Sequence, residues 1–452
     1  RPEGQSTRLY VAFDTGSGFE PAALVHSEAR ADFNPQLSFL SDGRLIAVWE
    51  TSILDQIATS LDERITGLEI AWAIYDPGSK TWSNPVLLSD NTYLDHNPIL
   101  ANSSQGPMLV WRSNVSSELL ATAGFPDQVN FTTWNGTVFS APAPLPYDLF
   151  PLGSISLAYD GTEAVFTWIH DEDTDIGTAE DRELYWADYD GSNWTAPIRA
   201  TNDQVKDHNP RVFCLENGDF ELVWAKDETL VRMSSFGTRS HQALFDLATS
   251  HYEIVCDSFG RIALLWTDYN DSQMDLRYAL IDTNSGTQSD ELYLTNDTGY
   301  ETAPSFTLND EGEIAAVYLS QKVDSEQHDL YILNHSLGID LAVSSPTFSP
   351  SLNRPGEFEI TAELMNLGDL TASNAAVEFY LGDPDNGGAF LKSSTITLHG
   401  GNKSYYTFTS SGIQPEDNGL IYVRIDPSDT VTETDESNNT ASSLYHFRIE
   451  MM

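Results

Sequence analysis

The chain has 452 residues with 68 acidic against 22 basic side chains and a formal charge of −46. That field repels phosphate backbones and anionic headgroups, so nucleic acid and acidic lipid are poor partners. No apolar run reaches the roughly eighteen residues of a membrane span, so membrane insertion is not expected either. The length exceeds one ordinary domain, and the apolar content is enough for two cores.

The chain opens at Arg1 on a polar segment without the charged-then-apolar pattern of a leader, so any export signal is expected to lie outside it. Residues 7–13 and 20–26 are short apolar segments around Asp14-Thr15-Gly16-Ser17-Gly18, which predicts a hairpin. Then a pattern begins to recur. Asp32-Phe33-Asn34-Pro35 leads to Gly43 and Trp49, Asp95-His96-Asn97-Pro98 to Gly106 and Trp111, and Asp207-His208-Asn209-Pro210 to Gly218 and Trp224. Weaker copies run from Leu152-Gly153 to Trp168, from His251-Tyr252 to Trp266, and from Glu301-Thr302-Ala303-Pro304 to Tyr318.

In the first full copy, 35–41, 44–49, 68–75 and 85–89 predict four strands joined as a meander, and the same arrangement returns every forty to sixty residues or so. This is the signature of propeller blades. The six copies predict a six-bladed ring over 1–337, closed by the strand at 20–26 against the last blade. If residues 7–26 form a separate partial blade, the number becomes seven. Cys214 and Cys256, each four residues before a repeat glycine, predict either a disulfide or two buried thiols.

Near Ile339 the pattern changes. Asp340-Leu341 opens a stretch with Gly356, Asn366-Leu367-Gly368, an alternating Val377-Glu378-Phe379-Tyr380 and the closing Ile425-Asp426-Pro427 and Glu433-Thr434-Asp435-Glu436-Ser437-Asn438-Asn439. About seven short alternating segments predict an immunoglobulin-like sandwich over 338–452. On those motifs this region resembles the CARDB family, with Ile425 in place of the usual valine. The resemblance implies an adhesion-related, non-enzymatic module of prokaryotic secreted and surface proteins. The repeats are loosely similar to sialidase-like and BNR-type propellers. Asp76–Trp82 and Asp190–Trp194 resemble Asp-box turns without the full pattern.

Blade topology places Asp32, Asp95, Asp207 and Glu301, with Asn34, Asn97, Asn209, His96 and His208, at the rim of one channel mouth, beside loops 50–67 and 169–181. Two readings follow for the repeated Asp-x-Asn-Pro. One is a turn device, in which Asp and Asn bond nearby backbone and proline fixes the strand entry. The other is a ring of oxygen ligands, Asp32, Asp95, Asp207 and Glu301, for a hard cation such as calcium. Asp95, His96, Asn97, Asp207, His208 and Asn209 are the candidate ligand-binding residues, and the histidines stand out because scaffold demands do not explain them. The tryptophans read as packing between blades rather than as sugar platforms. The segment Asp171–Gly177 resembles the start of an EF-hand loop with its glycine one place late, and Asp383–Gly387 is similarly short.

Ten Asn-x-Ser/Thr sequons fit an exported glycoprotein. No sialidase arginine cluster, Gly-x-Ser-x-Gly or His-Glu-x-x-His occurs. The expected function is binding or adhesion outside a prokaryotic cell, bacterial or archaeal. The mouth would take a glycan or surface protein, and the sandwich would act as spacer within a larger surface assembly. The rival is a carbohydrate-active enzyme with its two carboxylates on the same face.

Overall fold

The computed structural model describes residues 7–13, 19–27, 30–53, 67–116, 121–122, 124–149, 154–173, 175, 177–234, 241–246, 252–270, 273–282, 287–289, 291–309, 312–322, 328–351, 357–411, 413 and 419–445. Several sequence expectations fall outside these: the turn at 14–18, most of the loop at 50–67, Leu152-Gly153, His251 and Gly356. Among the described residues every regular element is a strand except a 3-10 turn at Pro384–Asn386, and no helix is long and apolar enough to cross a membrane. The chain forms two compact bodies, residues 1–248 and 249–452.

The N-terminal body holds four antiparallel meanders, each in chain order. Repeat 1 comprises Asp32–Phe39, Leu45–Ser52, Leu68–Asp76 and the short pieces Thr81–Trp82 and Val86–Leu87. Repeat 2 comprises Leu94–Ala101, Met108–Asn114, Asp127–Thr133 and Ala143–Leu149. Repeat 3 comprises Ile155–Tyr159, Ala164–Asp171, Arg182–Tyr189 and Ile198–Arg199, and repeat 4 Asp207–Cys214, Phe220–Lys226, Thr229–Met233 and Gln242–Asp246.

The second strands are apolar on both faces because each sheet is covered on both sides. Leu45–Ser52 is buried at every residue. Ile46 and Val48 join a core with Leu109, Trp111 and Trp134 of repeat 2, while Ala47 and Trp49 turn to the other face. Similar cores join repeat 2 to repeat 3 and repeat 3 to repeat 4. The turn between first and second strands needs a residue at φ near +80°, a region open to glycine and strained for others. Gly43 and Gly218 supply it, both at +83°.

The predicted hairpin at the start is present, with Tyr10 opposite Leu24 and Val11 opposite Ala23. Strand Ala23–Leu24 bonds to Tyr10–Val11 in a two-stranded sheet, and Leu9, Val11 and Val25 pack on Ala47, Trp49, Ala71 and Ala73 of repeat 1. The hairpin covers one face of repeat 1.

The C-terminal body contains repeats 5 and 6 and the sandwich. Repeat 5 is Tyr252–Cys256, Arg261–Asn270 and Gln273–Asp282 with two short outer pieces, and repeat 6 is Gly299–Leu308, Glu313–Lys322 and His328–Ser336. The sandwich sheets are 341–343, 358–366, 347–350 and 403–410 on one side and 389–398, 372–381, 419–425 and 440–445 on the other. Strand Phe358–Asn366 alternates strictly between buried and half-buried residues, as a strand with one face on the core must. Cys214 and Cys256 carry thiols whose S–H groups point to the carbonyls of Leu215 and Asp257, and no disulfide joins them.

Candidate functional site

The Asp-x-Asn-Pro stretch lies inside the first strand rather than in the loop before it. In repeats 1, 2 and 4 the pairing slips between Phe33 and Gln36, His96 and Ile99, and His208 and Arg211. The asparagines at these slips, Asn34, Asn97 and Asn209, have φ of 46°, 54° and 49°. Each is therefore a β-bulge with its special residue in the left-handed region, which asparagine tolerates better than most side chains.

Asp32, Asp95 and Asp207 are strand residues and are buried. Their Oδ1 atoms accept the indole N–H of the second-strand tryptophan: Trp49 to Asp32 at 3.0 Å, Trp111 to Asp95 at 2.9 Å and Trp224 to Asp207 at 2.9 Å. A buried indole N–H without an acceptor costs about 1–3 kcal/mol, which explains why Asp and Trp recur together. Asp32, Asp95, Asp207 and Glu301 are the residues expected as a cation ring, and their observed partners are side chains of the sheet. The first three carboxylates serve the tryptophans, and Glu301, also buried, accepts the hydroxyls of Ser320 at 3.1 Å and Thr295 at 3.3 Å.

A second set of acids, missed in the sequence, sits at the start of third strands. Glu69, Glu183 and Asp275 occupy equivalent places and are buried. Each faces the first-strand acid of the following repeat, giving the pairs Glu69/Asp95, Glu183/Asp207 and Asp275/Glu301. Where the third strand lacks the acid, with Gln128 in repeat 2 and Thr229 in repeat 4, the next repeat's first strand lacks it too. The connecting segment is also repeated. Ser89, Thr201 and Thr295 accept the amides of Ile70, Leu184 and Leu276, and the amides of Asn91, Asp203 and Asp297 donate to Glu69, Glu183 and Asp275.

Two buried carboxylates together disfavour double ionisation. Burial pushes Glu69 up to about 7, with Ser89 and Asn91 opposing the shift and Asp95 adding to it. Burial pushes Asp207 up to about 6 against Thr201, Trp224 and Lys226, and it likewise raises Glu301. The readable signal was a Ser or Thr six residues before the first-strand acid, in a connection reading Ser/Thr, Asp/Asn, Asn/Asp: 89–91, 201–203 and 295–297.

The two histidines have separate environments. His208 donates from Nε2 to the carbonyl of Asp227 at 2.9 Å, across the tight turn that joins the second and third strands of repeat 4, and burial lowers its pKa. His96 faces a longer connection. Its Nε2 is 3.7 Å from Asp127 Oδ2, and Arg112 Nη1 is 3.7 Å from the same oxygen. Burial works against the charge on Asp127, but His96, Asn114 and Arg112 outweigh it and hold the carboxyl below its usual range. Nearby in the pairing scheme, Glu50 Oε1 accepts both Asn34 Nδ2 and the amide of Asn97 at 2.7 Å, joining the bulges of repeats 1 and 2. Asn209 instead accepts Ser154 Oγ at 3.3 Å.

Among the described residues, two acidic clusters could hold a metal ion, Asp171/Asp173/Asp181 in the N-terminal body and Asp275/Asp297/Glu301 in the C-terminal body. Of the expected cation ligands only Glu301 belongs to either. The sequon at Asn114 has its side chain fully buried and bonded to Asp127 at 2.9 Å, so in the folded chain it is closed to glycans.

In the sandwich, the sequence motifs are staples. Asn366 donates to the carbonyls of Leu370 and Leu398 and accepts the amides of Gly368 and Asp340. Glu433 accepts the amide of Leu341, whose strand opens the domain, and the side chain of Asn439 near its end. Asn438 reaches Asp340 at 2.7 Å. Residues 338–443 match the CARDB family model. The CARDB segment is also similar to the CARDB domain of the PF1109 protein of Pyrococcus furiosus, described as in complex with di-metal ions, at 24% identity over 24% of this chain and 94% of that one, TM-score 0.21. Across more of the chain there is similarity to Trypanosoma rangeli sialidase, at 12% identity over 97% of this chain and 92% of that one, TM-score 0.43. Arb93A, an α-L-arabinofuranosidase of Fusarium graminearum, matches at 11% identity over 68% of this chain and 93% of its own, TM-score 0.42. No curated relative matches the sequence.

Proposed function

We propose that this is a binding protein of the cell exterior, secreted or surface-held, whose repeats form a propeller. The bulged strand entries of repeats 1 and 2 take a polar ligand, a neutral glycan or a surface protein. The CARDB segment serves as adhesion or spacer module in a larger assembly. One observation carries the reading. The repeated carboxylates are committed to the scaffold, whereas His96 sits half-buried beside Asp127 and Arg112 with Nε2 at 3.7 Å, beyond hydrogen-bond reach of any described residue. Asp127 and Arg112, buried beneath it, orient the imidazole, and its half-buried ring can exchange hydrogen bonds with sugar hydroxyls or exposed peptide groups. The overall negative charge favours neutral over acidic glycans.

The rival hydrolase reading needs two carboxylates about 5–10 Å apart on either side of a bound sugar. The junction pairs are buried from solvent and fit that requirement poorly. A glycan array probed with the full chain tests the proposal. Retention of neutral glycans, weakened at least tenfold by His96→Ala and by Asp127→Asn, is the expected result. Retention unchanged by both variants would remove the site, and turnover of a retained glycan would establish the hydrolase.

A further inference from the structure

The connection between the second and third strands of repeat 3 gathers three carboxylates that the ligand reading does not use. Asp171 ends one strand opposite Arg182, which begins the next, so the neck of the hairpin sets Asp171 beside Asp181. Asp173 folds back over this neck, its amide donating to Asp181 Oδ2 at 2.9 Å. One oxygen from each of the three lies within 4.8 Å of the others.

Asp171 is 1% exposed. Arg182 Nε reaches its Oδ2 at 3.3 Å, but Oδ1 is buried with no hydrogen-bond partner, and so is Oδ1 of Asp181. A buried acceptor left without a donor costs about 1–3 kcal/mol, and like charges crowded together add to that cost. Among the described residues, Arg182 is the one guanidinium paired with the three carboxylates, at Asp171. The unmet demand is for positive charge that can accept lone pairs from several oxygens at once.

We propose that Asp171, Asp173 and Asp181 bind one hard divalent cation, with calcium the best fit. The donor set is oxygen only, which disfavours zinc and copper. Its irregular mixture of buried and solvent-facing carboxylates suits the flexible coordination of calcium better than the strict octahedron of magnesium. The ligands are not those an EF-hand register would choose. Asp175 Oδ1 accepts the amide of Gly177 at 2.9 Å and serves the turn, while Asp181, outside the Asp-x-Asp-x-Asp run, closes the site from the far side of the hairpin. The ion would pin a long connection at its neck.

Equilibrium dialysis of the full chain against calcium at neutral pH tests this, comparing the wild type with Asp173→Asn and Asp181→Asn. Each variant is expected to bind one ion fewer per chain, and calcium is expected to slow proteolysis within 171–181 at least fivefold in the wild type only. Asp173 is exposed, so its variant will fold and decides the question even if Asp181→Asn does not. A wild type that binds no calcium, or an Asp173→Asn chain that binds as many ions as the wild type, would overturn the proposal.

Discussion

Two junctions built on one plan solve the same electrostatic problem differently. Between repeats 3 and 4, Glu183, Asp203 and Asp207 converge, and Lys226, opposite Asp207 in the sheet, places its ammonium on Asp203. Between repeats 5 and 6, Asp275, Asp297 and Glu301 hold the equivalent places, but Ser320 stands opposite Glu301 where the lysine would be. The first junction carries two cations, Lys226 on Asp203 and Arg199 on Glu183 at 3.0 Å, and the second relies on hydroxyls and a raised Glu301 pKa. The backbone device is thus fixed by the bulge and the connecting segment, while the charge it encloses is left to vary.

Breaking the shared part of the plan has the largest effect. Trp224→Ala removes a buried ring and leaves Asp207 Oδ1 without its indole donor, and chemical denaturation is expected to show a loss of about 4 kcal/mol. Next is the part that differs. Lys226→Met leaves Asp203 without its ammonium while Arg199 still holds Glu183, and is expected to cost about 1 kcal/mol at pH 8. The cost should shrink near pH 5, where Asp207, at about 6, already holds a proton.

The converse change, Ser320→Lys, is expected to stabilise the chain by about 1 kcal/mol at pH 8 and by less at pH 5. No change at either pH would show that the two junctions are not electrostatically equivalent. The unsubstituted chain gives the subtlest test. Glu69 and Asp207 have folded pKa values above their unfolded ones, so the folded state takes up protons more readily. Stability should therefore rise as pH falls from 8 through about 7 and 6, and level off near the ordinary carboxylate range. Glu69→Gln should flatten the upper part of that rise in urea melts. His335 has the same sign, in a higher pH window. The bond to Asp369 raises its pKa, so its contribution is present below its ordinary value near 6.5 and is lost as pH climbs through the raised one.

Much of this was legible in the sequence. Six copies of a strand-turn-strand pattern predicted the meanders, and the Asn-Leu-Gly and closing Glu-to-Asn runs pointed to the CARDB segment. The site was less legible, for reasons particular residues show. Asp95 looked like a rim ligand because Asn97-Pro98 reads as a turn, yet the slip after His96 keeps both within a strand and buries the carboxylate. His96 and His208 share a motif but differ in environment, because what faces each, Asp127 and Asp227, lies beyond the second strand and not in the motif itself. Glu69 and Asp95 are partners at a separation that only sheet-to-sheet packing makes meaningful.

The bulge has one more consequence, for the ageing of the chain. Asparagine ordinarily deamidates when the amide nitrogen of the next residue attacks its side chain to close a succinimide. Asn34, Asn97 and Asn209 are each followed by proline, which has no N–H to make that attack. The residue type that best tolerates the left-handed turn of the bulge is thereby shielded from its commonest chemical decay. A long-lived chain would keep its sheet registers intact.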